Sequence, residues 1–593
     1  MKKRIISVLL ILAMLTSMLI SCKKDEEPAA DNAADAPAEE APPPFYEIGV
    51  DELANYTIVF SEKATSDVQS AASTIASAFS MKFDVAIKAR DDSYVEPSTG
   101  ELSVSEYEIL IGETNREESA QFMSELEYKD RGYKVINKKI VIGAHDLYQA
   151  AQSAMEFASY VRAFKKGSDV FFNTDMDKIT LGKYSFGTMT IDGADISEYK
   201  IVYPKGKDFE KALANKLMKA IGNACGSVLP VCDDKTDAAD KEILVGKTSR
   251  DTDVSAANGV TDGRGYAAVS DEKLVLCGST ALGNATAVEW LIGYFDGSQS
   301  ADTLSLDIEG GLKSSPRAVG TLSAMTFNLD SDGVTKDRAA KVVETIVDAL
   351  PDTVSLQECS VDWKKKLTDA LGDYYTYVGI GGDVNGEGNA AAILYAKEKF
   401  TEGKSGTKWL SDTPDEVSKL DKADANYVYT YLELTPASGK KIMVINTQLG
   451  NTSAVRESQV RMLLDFMYEN KDTAMLLTAD MRGTPKSVEF VQLMAEFMTN
   501  CVLTTDNFSG FGIDKTKLDD TVFVYDYYVD VSLIRVYNER INGSYASPNR
   551  AMYIEYVVDY NGTKCVEKDF SDFDGLYEKP DRDGEDYPPF IPF

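Results

Sequence analysis

Beyond residue 318, short apolar runs alternate with stretches whose apolar residues recur at helical spacing. Residues 323–329, 353–357, 391–395, 429–434, 442–447, 475–478 and 522–529 read as strands, and 337–349 and 454–469 as amphipathic helices. Each strand needs a covered face, so the pattern predicts two packed sheets flanked by helices over residues 318–560.

The first half carries a different pattern, written twice. YTIVF (56–60) returns as YKIVY (199–203), EILIGETNR (108–116) as EILVGKTSR (242–250), RGY (131–133) as RGY (264–266), and KIVI (139–142) as KLVL (273–276). The offset falls from 143 to about 134 residues because the first copy carries a longer insert near 92–106. Each copy reads as a strand, an amphipathic helix, two or three strands and a closing helix, with helices expected at 68–79, 150–164, 209–221 and 281–294. The copies define α/β modules at 46–185 and 190–312. Neither is assigned chemistry. His145, the single histidine of the chain, stands at the turn into a closing helix and reads as a surface or capping group. The ETNR and KTSR turns read as strand ends tied by their arginines.

The N-terminus changes the address. Lys2, Lys3 and Arg4 precede an apolar run from Ile5 to Ile20, too short and wrongly flanked for a membrane-spanning helix, so residues 1–22 read as a secretory signal. Its ending, Leu19-Ile20-Ser21-Cys22, resembles the bacterial lipobox, which implies a diacylated, palmitate-type anchor on Cys22 as mature N-terminus. Residues 23–45, rich in Ala, Pro, Asp and Glu, read as a disordered tether, and 561–593 as an acidic tail. The expected location is the cell membrane, lipid-anchored on the extracytoplasmic face.

At 593 residues, 44% hydrophobic and 10% aromatic, the chain is long enough for several cores. Against 95 acidic residues stand 62 basic ones, a net charge of −33. Such a polyanion is a poor partner for nucleic acid, whose binding depends on Lys and Arg neutralising phosphates, and no nucleic-acid partner is expected. Six cysteines follow Cys22: Cys225, Cys232, Cys277, Cys359, Cys501 and Cys565. None forms a CxxC, so zinc sites are not expected. Export permits pairs such as Cys225 with Cys232 or Cys277, and buried free thiols are the alternative.

The chemistry-bearing residues lie in the second half. TFNLD (326–330), VSLQE (354–358), KWLSDTP (408–414), KIMVINTQLG (441–450), Arg456-x-x-Gln459, LTADMRGTPKS (477–487) and YASPN (545–549) follow one another. In this order they resemble the endonuclease/exonuclease/phosphatase family, metal-dependent phosphodiester hydrolases related to pancreatic-type deoxyribonuclease. The modules resemble the accessory α/β domains that precede catalytic domains in some glycoside hydrolases. The resemblances imply an α/β multidomain protein, two repeated small α/β modules followed by a four-layer α/β sandwich. They also imply metal ligands at Asn328 and Glu358, a water-orienting carboxylate at Asp480 and a histidine-steadying carboxylate at Asp526, all retained.

Five positions depart from the family pattern. The strand that ends Asn-Thr-His in the family ends here in Gln448, and Gly-Glu becomes Gly388-Asn389. The second Asn of Gly-Asp-x-Asn becomes Arg482, and Ser-Asp-His becomes Ser547-Pro548-Asn549. An amide does not titrate near neutral pH, and each lost proton-transfer group costs about 10²–10⁴-fold in rate. The favoured reading is a surface lipoprotein with a catalytically degenerate domain, a pseudoenzyme. It would bind an extracytoplasmic ligand or protein partner or act as scaffold, with no cofactor. The alternative is an active Mg²⁺- or Mn²⁺-dependent phosphodiesterase or phosphatase using Glu358, Asp480 and Asp526. Glycan handling rests on the first-half analogy alone. Two further expectations attach to single features. Glu358 and Asp480, left close without a cation, repel, so the Arg482 guanidinium is expected to pair with one or both. The glycine-rich stretch 381–388 lacks a lysine and a following helix and reads as a solvated loop.

Overall fold

The computed structural model describes residues 45–62, 64–167, 169, 172–496, 498–504, 508–509, 520–525, 527–537, 541 and 544–560. Apart from Phe45 these belong to one unit that begins at Tyr46. The signal and tether with Cys22, the tail with Cys565, and Asp526 lie outside the described residues.

The first repeat comprises β1 (Thr57–Phe60), α1 (Ser66–Phe83), β2 (Lys88–Asp91), β3 (Glu108–Ile111), α2 (Glu117–Glu125), β4 (Arg131–Ile136), β5 (Lys139–Ala144), α3 (Leu147–Ala163) and β6 (Asp177–Thr180). Its sheet runs β2-β1-β3-β5-β4-β6. The second comprises β7 (Lys200–Tyr203), α4 (Asp208–Cys225), β8 (Val231–Asp233), β9 (Glu242–Val245), β10 (Gly265–Ser270), β11 (Lys273–Cys277), α5 (Ala281–Gly297) and β12 (Gly311–Lys313). Its order, β8-β7-β9-β11-β10-β12, is the same. The helices exceed the apolar pattern because their capping turns lie outside it. Thr65, for example, accepts from the Val68 N–H and starts α1 before its first buried residue.

Each repeat holds one buried carboxylate at the start of its EIL strand. Glu108 pairs with Arg116 at 3.0 Å and Lys139 at 3.1 Å, and Glu242 with Arg250 at 2.9 Å and Lys273 at 3.0 Å. The arginines therefore tie the strand to its following turn, where a buried charge needs a partner. His145 makes a local contact, its Nε2 lying 3.0 Å from the Leu126 carbonyl. The five described cysteines are free, so Cys225 does not pair with Cys232 or Cys277.

The second half contains β13 (Thr321–Asn328), α6 (Lys336–Ala349), β14 (Thr353–Cys359), α7 (Val361–Leu371), β15 (Tyr375–Val378), β16 (Ala390–Ala396), β17 (Phe400–Trp409), β18 (Val428–Pro436) and β19 (Ile442–Gln448). It continues with α8 (Ser453–Glu469), β20 (Ala474–Asp480), α9 (Val488–Glu496), β21 (Thr499–Asn500), β22 (Phe508–Ser509), β23 (Asp520–Val524), β24 (Val529–Tyr537) and β25 (Ala551–Val558). Two sheets result, ordered β15-β16-β14-β13-β25-β24-β22 and β17-β18-β19-β20-β23-β21. Their facing surfaces share one core that includes Ala324, Ile393, Leu432, Val444, Leu476 and Ile554. Val342, Ile346, Trp363 and Leu367 of α6 and α7 join the core on the outer side of the first sheet, and Val460, Leu463, Phe490 and Leu493 of α8 and α9 that of the second. The architecture is a four-layer α/β sandwich preceded by two α/β repeats.

The apolar pattern gave no element at β15, β25, α7 or α9, and it misread two further stretches. The run 522–529 is not one strand: β23 ends at Val524, the chain turns as Tyr528 N–H reaches the Tyr525 carbonyl at 3.0 Å, and β24 begins in the other sheet. A nearly unbroken apolar run conceals the turn because both flanks are buried. Strand β17 has only Phe400 and Trp409 buried. As an edge strand with polar residues between them it leaves little apolar signal.

The second repeat is fixed to the sandwich. Phe209 of α4 stacks on Tyr374 with ring centroids 4.9 Å apart, and Lys216 Nζ donates to the Asp348 carbonyl at 2.7 Å. In the connector, Arg317 Nη1 donates to the buried Asp352 at 2.9 Å and to the Ser323 hydroxyl at 2.8 Å.

Candidate functional site

Each sheet of the sandwich contains a parallel pair, β13 with β14 and β19 with β20, and the site lies where their carboxyl ends meet. Along β19 the two-residue alternation puts Asn446 and Gln448 on one face. Asn446 Nδ2 crosses the sandwich to the carbonyls of Leu356 (2.9 Å) and Ala392 (2.8 Å), while its Oδ1 accepts from Gln357 Nε2 at 2.7 Å. This buried amide exchange joins the two sheets directly beneath the site. Gln448 is paired in register with Asp480 on β20, so both project at one level. Glu358 follows Gln357 and in a regular strand would face away from it. The β14–β16 register breaks between Leu356 and Cys359, and Glu358 takes a left-handed φ of 52°. That local strain turns its carboxylate toward the other sheet.

Asn328, Glu358, Gln448, Asp480 and Arg482 form one hydrogen-bonded cluster. Gln448 Nε2 donates to Glu358 Oε1 and to Asp480 Oδ2, at 2.7 Å each. Asn328 Nδ2 donates to the same Asp480 oxygen at 2.9 Å, and the Asn328 Oδ1 accepts from the Asp330 N–H. Arg482, in the turn after β20 with φ 47°, donates through Nη2 to Glu358 Oε1 at 3.2 Å, and its Nε lies 3.6 Å from Asp480 Oδ2. Its own N–H caps Asp480 Oδ1 at 3.0 Å, and the Ser331 N–H caps Glu358 Oε2 at 3.2 Å. Burial works against ionisation of Glu358, but the donors from Gln448, Ser331 and Arg482 prevail and hold its carboxyl below the usual range.

Tyr427 and Asp424, which the sequence did not single out, support Arg482 from the far side. Arg482 Nη1 donates to the Tyr427 hydroxyl at 2.9 Å, and that hydroxyl donates to Asp424 Oδ1 at 2.9 Å. Burial, partly countered by Arg482, pushes the Tyr427 hydroxyl up to about 12, so it stays protonated. Nothing in the local pattern ANYVY marks these roles, since they depend on the 424–427 loop reaching the turn after β20.

Beside this cluster opens a cleft of about 370 Å³ lined by Asn389, Gln448, Arg482, Tyr427, Asp383 and Asp424 among others. Its walls, the 381–388 loop and the segment before β18, touch closely at Gly382, where a Cβ would come within 2.2 Å of the Asn426 carbonyl. In that loop Asp383, Val384, Asn385 and Glu387 are exposed, whereas Gly381 and Gly382 are buried. Asn389 shares the cleft with Gln448 but exchanges no hydrogen bond with it, because Gln448 is turned to the carboxylates. Asn549 lines a different cavity, of about 20 Å³, and Pro548 is exposed. Their loop is anchored to the site through Ser547, whose hydroxyl donates to the Asn328 carbonyl at 2.8 Å.

The donor set as arranged does not fit a divalent cation. A hard cation needs open oxygen ligands. Here every oxygen of Glu358 and Asp480 receives an N–H, and a guanidinium lies between them. Among the described residues, no group of three or more His, Cys, Asp and Glu side chains is arranged to hold a metal ion.

Among solved structures, the chain is similar to an endonuclease/exonuclease/phosphatase from Bacteroides vulgatus, at 22% identity over 40% of this chain and 99% of that one, with a TM-score of 0.38. It is also similar to a family protein from Bacteroides thetaiotaomicron, at 19% identity over 40% and 98%, TM-score 0.37. A mannosyl-6-phosphatase of the same species matches at 18% identity over 40% and 99%, TM-score 0.36. No family model matches the chain, and neither does any curated protein.

Proposed function

We propose that residues 318–560 form an endonuclease/exonuclease/phosphatase-like domain that has exchanged hydrolysis for binding. The observation that carries this reading is the Gln448 amide, which occupies the position of a titratable group and spends both its protons on Glu358 and Asp480. Arg482 supplies beside them the positive charge a cation would bring, in a form that cannot leave or activate water. The modules at 46–185 and 190–312 serve as accessory parts. Lipid on Cys22 would hold the whole at the extracytoplasmic face of the cell membrane.

The experiment compares hydrolysis of nitrophenyl phosphate and bis-nitrophenyl phosphate with Mg²⁺ or Mn²⁺, alongside calorimetric titration of each ion. The expected result is no turnover above buffer and no ion binding. Divalent-dependent turnover that disappears in Glu358→Gln would restore the hydrolase reading. For the anchor, Cys22→Ser should move the protein from membrane to soluble fractions, and equal sedimentation of variant and wild type excludes it.

A further inference from the structure

The cleft beside Gln448 and Arg482 presents a one-sided set of free hydrogen-bonding groups. Gln448 Nε2 is committed to two carboxylates, so what remains of that amide is its carbonyl, which accepts from no donor among the described residues. Asp424 uses one oxygen for the Tyr427 hydroxyl, and Asp383 uses one for Asn426 Nδ2 at 3.0 Å. Among the described residues nothing donates to the second oxygen of each, and both residues are exposed in the cleft wall. Arg482, the only basic residue of the lining among the described residues, is held by Glu358, Asp480 and Tyr427.

Charge decides between the ligands such acceptors admit. Four carboxylates (Asp383, Asp424, Glu358 and Asp480) against one guanidinium leave a net −3 in and behind the cleft. A phosphate would meet repulsion, with no free cation among the described lining residues to receive it. A neutral polyol would satisfy the acceptors without gaining from the charge. A ligand that donates hydrogen bonds and carries positive charge gains from both. The segment that carries Asp383 also exposes Val384 (66%) and Ile380 (44%). An alkyl stem or the apolar neighbours of a basic side chain would cover that surface.

We propose that this cleft binds an alkylguanidinium or alkylammonium group, carried either by a small amine or by an Arg or Lys side chain of a polypeptide. The inference rests on the reading of the site as a binding site without a divalent cation. No bond is made or broken. The cation lies between Asp383 and Asp424, with the Gln448 carbonyl as third acceptor.

The test is calorimetric titration of the full chain with agmatine and with a leucine–arginine–leucine peptide amide, against inorganic phosphate and methyl glucoside. One or both cationic probes should bind, more weakly as salt rises, since exposed charges are screened. Asp424→Asn and Asp383→Asn should each weaken binding by about three- to fivefold, the scale of one partly exposed ion pair. A tighter peptide than agmatine assigns the ligand to a polypeptide, and the reverse to a free amine. Failure of both cationic probes at millimolar concentration, or binding of phosphate or methyl glucoside in their place, overturns the inference. If a variant does not fold, probe selectivity and salt dependence of the wild type still decide. Divalent-dependent hydrolysis would instead overturn the proposed function, whereas a chain that neither hydrolyses nor takes the cationic probes sinks this inference alone.

Discussion

Arg482 and Glu358 lie 124 residues apart in sequence, yet Nη2 of one is 3.2 Å from Oε1 of the other. The contact joins the turn after β20 to the irregular end of β14. It places a permanent cation where two carboxylates of like charge converge.

Replacing that cation by an uncharged stem exposes the repulsion. Arg482→Met should lose about 1 kcal/mol at neutral pH, the scale of a partly solvated ion pair, because the side chain is 31% exposed. Millimolar Mg²⁺ should then raise the melting temperature of the variant and leave that of the wild type unchanged. Equal shifts in both proteins would show that the guanidinium does not exclude the ion.

The amide at 448 is tested by the isostere that lacks its protons. Gln448→Glu sets a third carboxylate against Glu358 and Asp480 and removes both donated bonds, at a cost of about 1–3 kcal/mol at pH 7. Protonation relieves the clash, so the deficit in urea unfolding should shrink as the pH falls toward 5. A deficit that is constant with pH would mean that shape, not charge, is at fault.

Acid sensitivity should come in part from the second repeat. Burial opposes ionisation of Glu242, but bonds from Arg250, the Ala239 N–H and Lys273 lower its pKa from 4.5 to about 2. The folded-state value lies below the unfolded one, so the unfolded chain binds the proton first. The stabilisation is therefore complete above pH 4.5 and is lost as pH drops toward 2, with a span on the order of 3 kcal/mol. Unfolding free energies across that window should fall less steeply in Glu242→Gln than in the wild type.

The connector offers a buried pair. Asp352 is 1% exposed and receives Arg317 at 2.9 Å, Lys399 at 2.6 Å and the Ser323 N–H at 2.8 Å. Arg317→Met leaves that charge undercompensated and should cost about 3–5 kcal/mol in chemical denaturation. Asp352→Asn in the same chain should recover part of the loss, and purely additive effects in the double-mutant cycle would rule out the coupling.

The core strands β13, β14, β16, β18, β19 and β20 were legible because their residues are apolar whatever partner they meet, whereas β25 was not read. Residues 442–447 and 475–478 lie within β19 and β20, which extend only as far as Gln448 and Asp480. The paired arginines of the two repeats were legible as well, since Arg116 and Arg250 follow a strand that starts in glutamate at equal spacing. Strand β17 was not, because its polar edge residues carry no burial signal, and the change of sheet after Val524 was hidden by apolar flanks on both sides of the turn. Tyr427 and Asp424 were invisible for another reason. Their roles arise from a loop meeting a distant turn, and local composition does not encode that meeting.

By itself the sequence determined which groups the chain owns: one histidine in the first half, and at 448, 389, 549 and 482 side chains that cannot exchange protons near neutrality. Ionisation range belongs to a residue type, so no folding is needed to know it. Only the tertiary structure decided what those residues do instead. Whether Gln448 would face Asn389 or reach Glu358, 90 residues away, depended on the register of β19 against β20 and on the broken register that turns Glu358 inward. Whether Arg482 would point to solvent or between two carboxylates depended on its left-handed backbone and on Tyr427 behind it. Such contacts are set by backbone geometry summed over many residues, and no single position in the sequence carries them.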